Sequence, residues 1–314
     1  MKRMTTNIEP LDGVFFHSAD FVGKLISKVQ HRTFGTPKNA PTHCGILVTR
    51  DLFTKCYSDN DKISYLDLLK IQKDSLLPEV PVEVNYMEPG RFYVFESTES
   101  GSISDGVYNV LGESKFGPQI RDLEHIMKNY DKKKKNYVSI APSFNNLWRY
   151  SKTLNEKDKL DIQQKVSELF VICFNKHIGD SYETMIPCIL STTSSCILKI
   201  RDFISSMCCI KCVGNIVNRK KTFCSELVTY VLRDLHMCAP DIQAYTISPV
   251  ELFGAKSNGE SQIGGSVFST PVVTKSLNSC EFLLEIRNSM FLKEISYPVK
   301  SKPNMDLDEV LKFY

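Results

Sequence analysis

Thr222-Phe223-Cys224-Ser225-Glu226-Leu227-Val228 opens an amphipathic helix on a cysteine. The unpaired backbone N–H groups at a helix N-terminus stabilise an anion, so a thiol placed there ionises more readily. Leu227, Val228, Val231, Leu232 and Leu235 carry the apolar stripe onward at helical spacing, and Ser225 and Glu226 suit a first turn. Arg219-Lys220-Lys221, just upstream, either adds positive potential or is simply solvated. The chain has eleven cysteines, and a cysteine at the head of an apolar stripe is by default a small core residue. Cys224 therefore has to be justified by partners elsewhere: a base to take its proton and an acid to orient that base.

Thr42-His43-Cys44-Gly45-Ile46-Leu47-Val48-Thr49 is an almost continuous apolar run, read as a strand central in its sheet. His43 stands at its mouth, where a ring can point out of the sheet end toward a helix N-terminus. Histidine is the usual base for a cysteine because it exchanges protons near neutral pH. His17 has a comparable strand-edge setting; His31, His125, His177 and His236 do not. The next confident strand, Arg91-Phe92-Tyr93-Val94-Phe95-Glu96, ends in the polar turn Glu96-Ser97-Thr98-Glu99-Ser100-Gly101. Glu96, at the strand's end, is placed to accept the far ring N–H of His43 and fix its tautomer, with Glu99 as the rival carboxylate.

Outward from these blocks, Asp12-Gly13-Val14-Phe15-Phe16 is a turn and short strand, and Ser18-Ala19-Asp20 starts a helix carrying Phe21, Val22, Leu25, Ile26 and Val29. A short helix is predicted over residues 63–71, and strand-like segments over 105–110, 117–123 and 137–141. The first of these is expected to form a hairpin with the Tyr93–Glu96 strand. A long helix over 155–175 buries Leu160, Ile162, Val166, Leu169, Phe170 and Phe174. Residues 254–265 are a glycine- and serine-rich loop or linker, and strands over 267–273 and 282–286 follow.

The totals exclude several classes. The 314 residues carry 42% hydrophobic and 24% charged side chains with a formal net charge of +3, those of an ordinary globular protein with too little charge to argue for nucleic acid. The basic runs at 132–135 and 219–221 read as solvated loop charge. No apolar window is long enough to span a bilayer, and residues 1–10 do not read as a secretory signal. Cysteines at irregular spacing then favour reduced thiols in a cytoplasmic compartment. Cys209-x-x-Cys212, with Cys208 and Cys196, suggests zinc, but a second clean pair is missing. An acylated Cys208-Cys209 pair is equally speculative, so buried or loop thiols are the default and no metal or cofactor is expected.

The order of blocks resembles the permuted NlpC/P60 family of the papain-like superfamily, with its YiiX-like bacterial and poxvirus-type members. Asp12 to Phe16 and Thr42 to Val48 look like its opening, Val94-Phe95-Glu96-Ser97-Thr98 like its acid strand, and Phe223 to Val228 like its nucleophile helix. Gly179-Asp180-Ser181-Tyr182-Glu183 and Ser248-Pro249-Val250-Glu251-Leu252 are smaller echoes. In that family the papain order is circularly permuted to histidine, acid, cysteine. The resemblance implies an α+β fold, an antiparallel sheet packed against the nucleophile helix. It implies Cys224 as nucleophile, His43 as base and Glu96 as orienting group. The catalytic domain would cover residues 8–255, with insertions near 55–90 and 184–221, and residues 256–314 would be a linker and C-terminal extension packed on it. Two enzyme readings follow, a thiol amidase or peptidase acting on an amide or isopeptide bond, and a lipid-directed thiol acyltransferase or phospholipase. A catalytically silent binding module of the same fold is the third. Neither the substrate nor the oligomeric state is specified by the sequence.

Overall fold

The computed structural model describes residues 8–18, 24, 40–57, 78–99, 107–131, 137–143, 146–182, 221–238, 242, 244, 247–252 and 272–273. Strands Gly13–His17 (β1) and His43–Val48 (β2) are buried almost throughout, as unbroken apolar runs require when both faces of a sheet are covered. They lie at the centre of an antiparallel sheet completed by Tyr93–Glu99 (β3), Phe116–Asp122 (β4), Tyr137–Ala141 (β5) and Val272–Val273 (β8), in the order β4-β3-β2-β1-β5-β8. Ser181–Tyr182 (β6) and Lys221–Thr222 (β7) form a separate two-stranded parallel pair. Together with the helices below, this is an α+β architecture.

The helices are Arg50–Thr54 (α1), Leu123–Asp131 (α2), Leu147–Ser151 (α3), Glu156–His177 (α4), Cys224–Asp234 (α5) and Pro249–Leu252 (α6). Helix α4 has clear local causes. Asn155 caps it by accepting from the Asp158 N–H at 3.0 Å, Glu156 and Asp158 load its first turn, and Lys176 and His177 end it. The period-two alternation of the strands sends side chains to two cores. Phe15, Cys44, Ile46, Val48, Tyr93 and Phe95 face α4 and α5, where Phe95 and Phe53 each meet Phe170 and Phe174 in a cluster of largely edge-on and tilted rings. Val14, Phe16, Leu47, Val94, Val138 and Ile140 face α2 through Leu123, Ile126 and Met127. Each fully buried phenylalanine contributes about 1.5–3 kcal/mol by removal from water.

Several expectations change here. The predicted 105–110 strand is not one over its described part: Asn109 makes a single bridge to Arg121, and the partner that hairpins with β3 is β4. Strand β3 does not end at Glu96 but runs on to Glu99, because the polar residues 96–99 are paired along β4. The helices α1, α2 and α3 were not anticipated. Of the helix predicted from Ser18 only Ser18 and Lys24 are described, Lys24 being helical; the helix over 63–71, the loop over 254–265, the strand over 282–286 and the cysteine-rich stretch before β7 lie outside the described residues. Among the described residues no helix is long and apolar enough to cross a membrane.

Candidate active site

The site forms where β2 and β3 part. Their pairing runs from Val48↔Tyr93 to Ile46↔Phe95. Ser97, which would continue that register opposite Cys44, instead donates its hydroxyl to the Thr222 carbonyl at 2.6 Å. This contact brings the chain just ahead of α5 up to the open edge of β2. The Leu47 N–H donates to Asp12 on the β1 side at 2.8 Å, so the alternation of an antiparallel strand turns the Cys44 N–H the other way, toward that edge. The Cys224 sulfur receives it, together with a hydrogen bond from the Cys44 thiol.

Cys224 is the first residue of α5, after Phe223 in extended conformation, and the Glu226 carboxylate reaches back to the Phe223 N–H at 3.4 Å. The other Glu226 oxygen accepts the Tyr230 hydroxyl at 2.8 Å. Ser225 is fully buried and donates to the Ile247 carbonyl at 2.6 Å, tying the helix start to the turn before α6. The stripe Leu227, Val228, Val231, Leu232 and Leu235 is buried as its spacing predicts. Arg219 and Lys220 lie outside the described residues.

His43 leans on the Phe16 ring, 4.9 Å between centroids, and is 17% exposed. Its Nε2 meets Glu96 Oε2 at 2.5 Å, and the ring also hydrogen-bonds the Cys224 sulfur. Glu96 is fully buried, and its second oxygen accepts Arg121 Nε at 2.5 Å. The absence of a side chain at Gly45 makes this approach possible. A Cβ there would sit 2.5 Å from Val94 Cγ1 and 3.0 Å from Glu96 Cβ.

Electrostatics separates the charges. Hydrogen bonds from Cys44 and the charge of His43 outweigh burial and hold the Cys224 thiol well below its usual range. Burial works against a charged His43, but the Cys224 sulfur and then Glu96 overcome it and push the imidazole up to about 10. Burial likewise opposes ionised Glu96, and Arg121 followed by His43 hold it below the usual carboxylate range. All three shifts favour the same arrangement, thiolate, imidazolium, carboxylate and guanidinium in a row. An ionised sulfur at a helix N-terminus beside a proton donor can attack a polarised carbonyl and return a proton to the leaving group.

The rivals are elsewhere. His17 stacks on Tyr137 at 4.0 Å and hydrogen-bonds Ser139; His177 pairs with Asp180; the His125 backbone N–H donates to the Asp122 carboxylate. The side chain of Glu99, and His31, lie outside the described residues. Two contributors were missed. Arg121 is 2% exposed, and an arginine within the strand Phe116–Asp122 was the available signal. Cys44 adjoins His43 in sequence, but no spacing rule marks a thiol donor. Compared with known proteins, the chain matches no family model, no curated protein and no solved structure.

Proposed function

We propose that the chain is a cysteine-dependent hydrolase of the permuted NlpC/P60, papain-like kind that cleaves an amide or isopeptide bond. The observation that carries this reading is His43 held between the Cys224 sulfur and the Glu96 carboxylate at the start of α5. The chain order histidine, acid, cysteine supports the family assignment. In the proposed reaction the Cys224 thiolate attacks the carbonyl carbon, and the resulting oxyanion is met by first-turn N–H groups of α5, which have no partner within the helix. His43 gives its proton to the departing amine, and the C–N bond breaks to leave a thioester. His43, now neutral, takes a proton from water, whose oxygen attacks the thioester and releases the acid, restoring the thiolate–imidazolium pair. Glu96 keeps the ring in one tautomer throughout.

The test is competitive labelling with a thiol-directed electrophile at pH 6, read site by site. Cys224 is expected to react first among the cysteines, and Cys224→Ala to abolish both that label and hydrolysis of peptide and isopeptide substrates. Labelling of Cys224 no faster than the other thiols would overturn the reading. Turnover of phospholipid with none of peptide would transfer the same chemistry to the acyltransferase class.

A further inference from the structure

A second cluster of chemistry-bearing side chains lies at the far end of α5. Cys173 and His177 are four apart on α4 and so share a face, and Asp234 is the last residue of α5, which packs against α4. One ligating atom from each lies within 4.8 Å of the other two. We propose that Cys173, His177 and Asp234 bind a divalent transition cation of the zinc type, and that this cation anchors the nucleophile helix.

The independent observation is the state of His177. Its ring is 7% exposed, Nδ1 pairs with Asp180 Oδ2 at 2.9 Å, and the buried Nε2 has no hydrogen-bond partner. With Nδ1 paired to a carboxylate, Nε2 is the ring nitrogen left to meet a ligand, the arrangement in which a histidine ligates a metal. Thiolate, imidazole and carboxylate together are donors that zinc accepts, and the partly exposed Asp234 side leaves room for water as a fourth ligand. Three atoms at that spacing have a centre at most about 2.8 Å from each. Bond lengths of about 2.0–2.3 Å then need a contraction of at most about 0.5–0.8 Å per ligand.

Two nearby cations compete. Lys176 Nζ lies 3.3 Å from Asp234 Oδ2 and Arg233 Nε lies 3.4 Å from Oδ1. Lys176 is 56% exposed and free to swing into solvent, and Arg233 is already stacked over Tyr230. Cys173 is fully buried, and burial followed by the Asp234 carboxylate holds its thiol in the protonated form. Binding therefore exchanges one proton: the S–H bond breaks, the sulfur–metal bond forms, and H⁺ leaves to solvent.

The consequence reaches the candidate active site without depending on its chemistry. The His177 ring stacks on Tyr230 at 4.7 Å, Tyr230 holds Glu226, and Glu226 holds the Phe223 N–H. Asp180 also accepts the Thr222 hydroxyl at 3.3 Å. A cation on His177 thus fixes both residues that precede Cys224.

The test is titration of the full chain with Co²⁺, followed by its thiolate-to-cobalt charge-transfer band, with Zn²⁺ competition and thermal melting as second readouts. The unsubstituted chain and Cys224→Ala should show the same band and a higher melting temperature with Zn²⁺. Cys173→Ser should lose the band, and Asp234→Asn should bind at least about 10-fold more weakly. Absence of a cobalt–thiolate band overturns the proposal. So does equal Co²⁺ affinity in the unsubstituted chain and Asp234→Asn, which places the metal on other cysteines. Asp234→Asn, on a partly exposed side chain, decides the matter alone if Cys173→Ser does not fold. Retained metal binding in a Cys224→Ala chain without activity separates this outcome from the fate of the hydrolase reading.

Discussion

At the scale of single residues, Cys224 owes its low thiol pKa first to Cys44 and only then to His43. Cys44 acts through both its thiol and its backbone N–H, and these are separable. Cys44→Ala removes the thiol donor and leaves the N–H, so the pH midpoint of Cys224 alkylation should move upward and the rate at pH 6 should fall. Cys44→Ser, with a hydroxyl in the same place, should restore most of that rate. Identical alkylation profiles for all three chains would remove Cys44 from the account. Arg121 has a different task. It is buried against a buried carboxylate, and deleting one partner of such a pair leaves the other charge uncompensated, at a cost of about 3–5 kcal/mol. His43 still faces Glu96 in Arg121→Met, so the expected loss lies near the lower end, about 3 kcal/mol by urea unfolding. Arg121→Met combined with Glu96→Gln should lose less than Arg121→Met alone, because the stranded charge is gone.

At the scale of elements, the site depends on two strands that pair closely and then diverge. Gly45 allows the close pairing and Ser97 secures the divergence. Gly45→Ala forces a Cβ against Val94 Cγ1 at 2.5 Å and against the Phe95 carbonyl at 3.0 Å, within a strand pair that has no slack. Overpacking of this kind costs about 1–3 kcal/mol, and displacement of Glu96 should slow Cys224 alkylation and turnover about 10-fold or more. Unchanged stability together with unchanged reactivity would show that β2 and β3 are less tightly coupled than their spacing indicates. Sequence pattern made these elements legible where periodicity was strong. His43–Val48, Tyr137–Ala141, the capped helix after Asn155 and the stripe behind Cys224 all fall where their spacing puts them. It missed Leu123–Asp131 and Leu147–Ser151, which are short and held by what they pack on; α3 is anchored by Asn146 and Arg149 on buried Asp12. Polar residues 96–99 read as a turn because their partners, Arg121 and Thr222, lie far along the chain. Cys44 was illegible for the same reason, since what makes it matter is a contact fixed by tertiary structure; Arg121 was marked only by being a charged residue inside a strand.

At the scale of the whole molecule, these charges make folding stability depend on pH in a shape that can be derived. Glu96 has its folded pKa depressed, so its contribution is present above the ordinary value of about 4.3 and is lost as pH falls through the folded one. Cys224 is also an acid with a depressed folded pKa; its contribution is full above about 8.5 and falls steadily on acidification toward its folded value. His43 has the opposite sign. Its folded pKa is raised to about 10, so its contribution is full below the ordinary value of about 6.5 and is lost as pH rises through about 10. Between about 6.5 and 8.5 the unfolded chain keeps the thiol proton and has lost the imidazole proton, whereas both folded shifts favour the reverse. Both states then hold one proton at this pair, and the slope from it vanishes. Below that window the unfolded chain binds one more proton, so stability rises with pH; above it the folded chain binds one more, so stability falls. Urea midpoints collected across pH should therefore show a plateau near neutrality with a decline on either side. Cys224→Ala removes the thiolate that does most to hold the proton on His43, so it should lose this pair's share of the rise below about 6.5 and flatten the alkaline decline. Profiles for Cys224→Ala and the unsubstituted chain that superimpose above pH 5 would mean that the sulfur and the imidazole do not share their charges. Both the row of charges at the sheet's open edge and the chemistry proposed for it would then fail together.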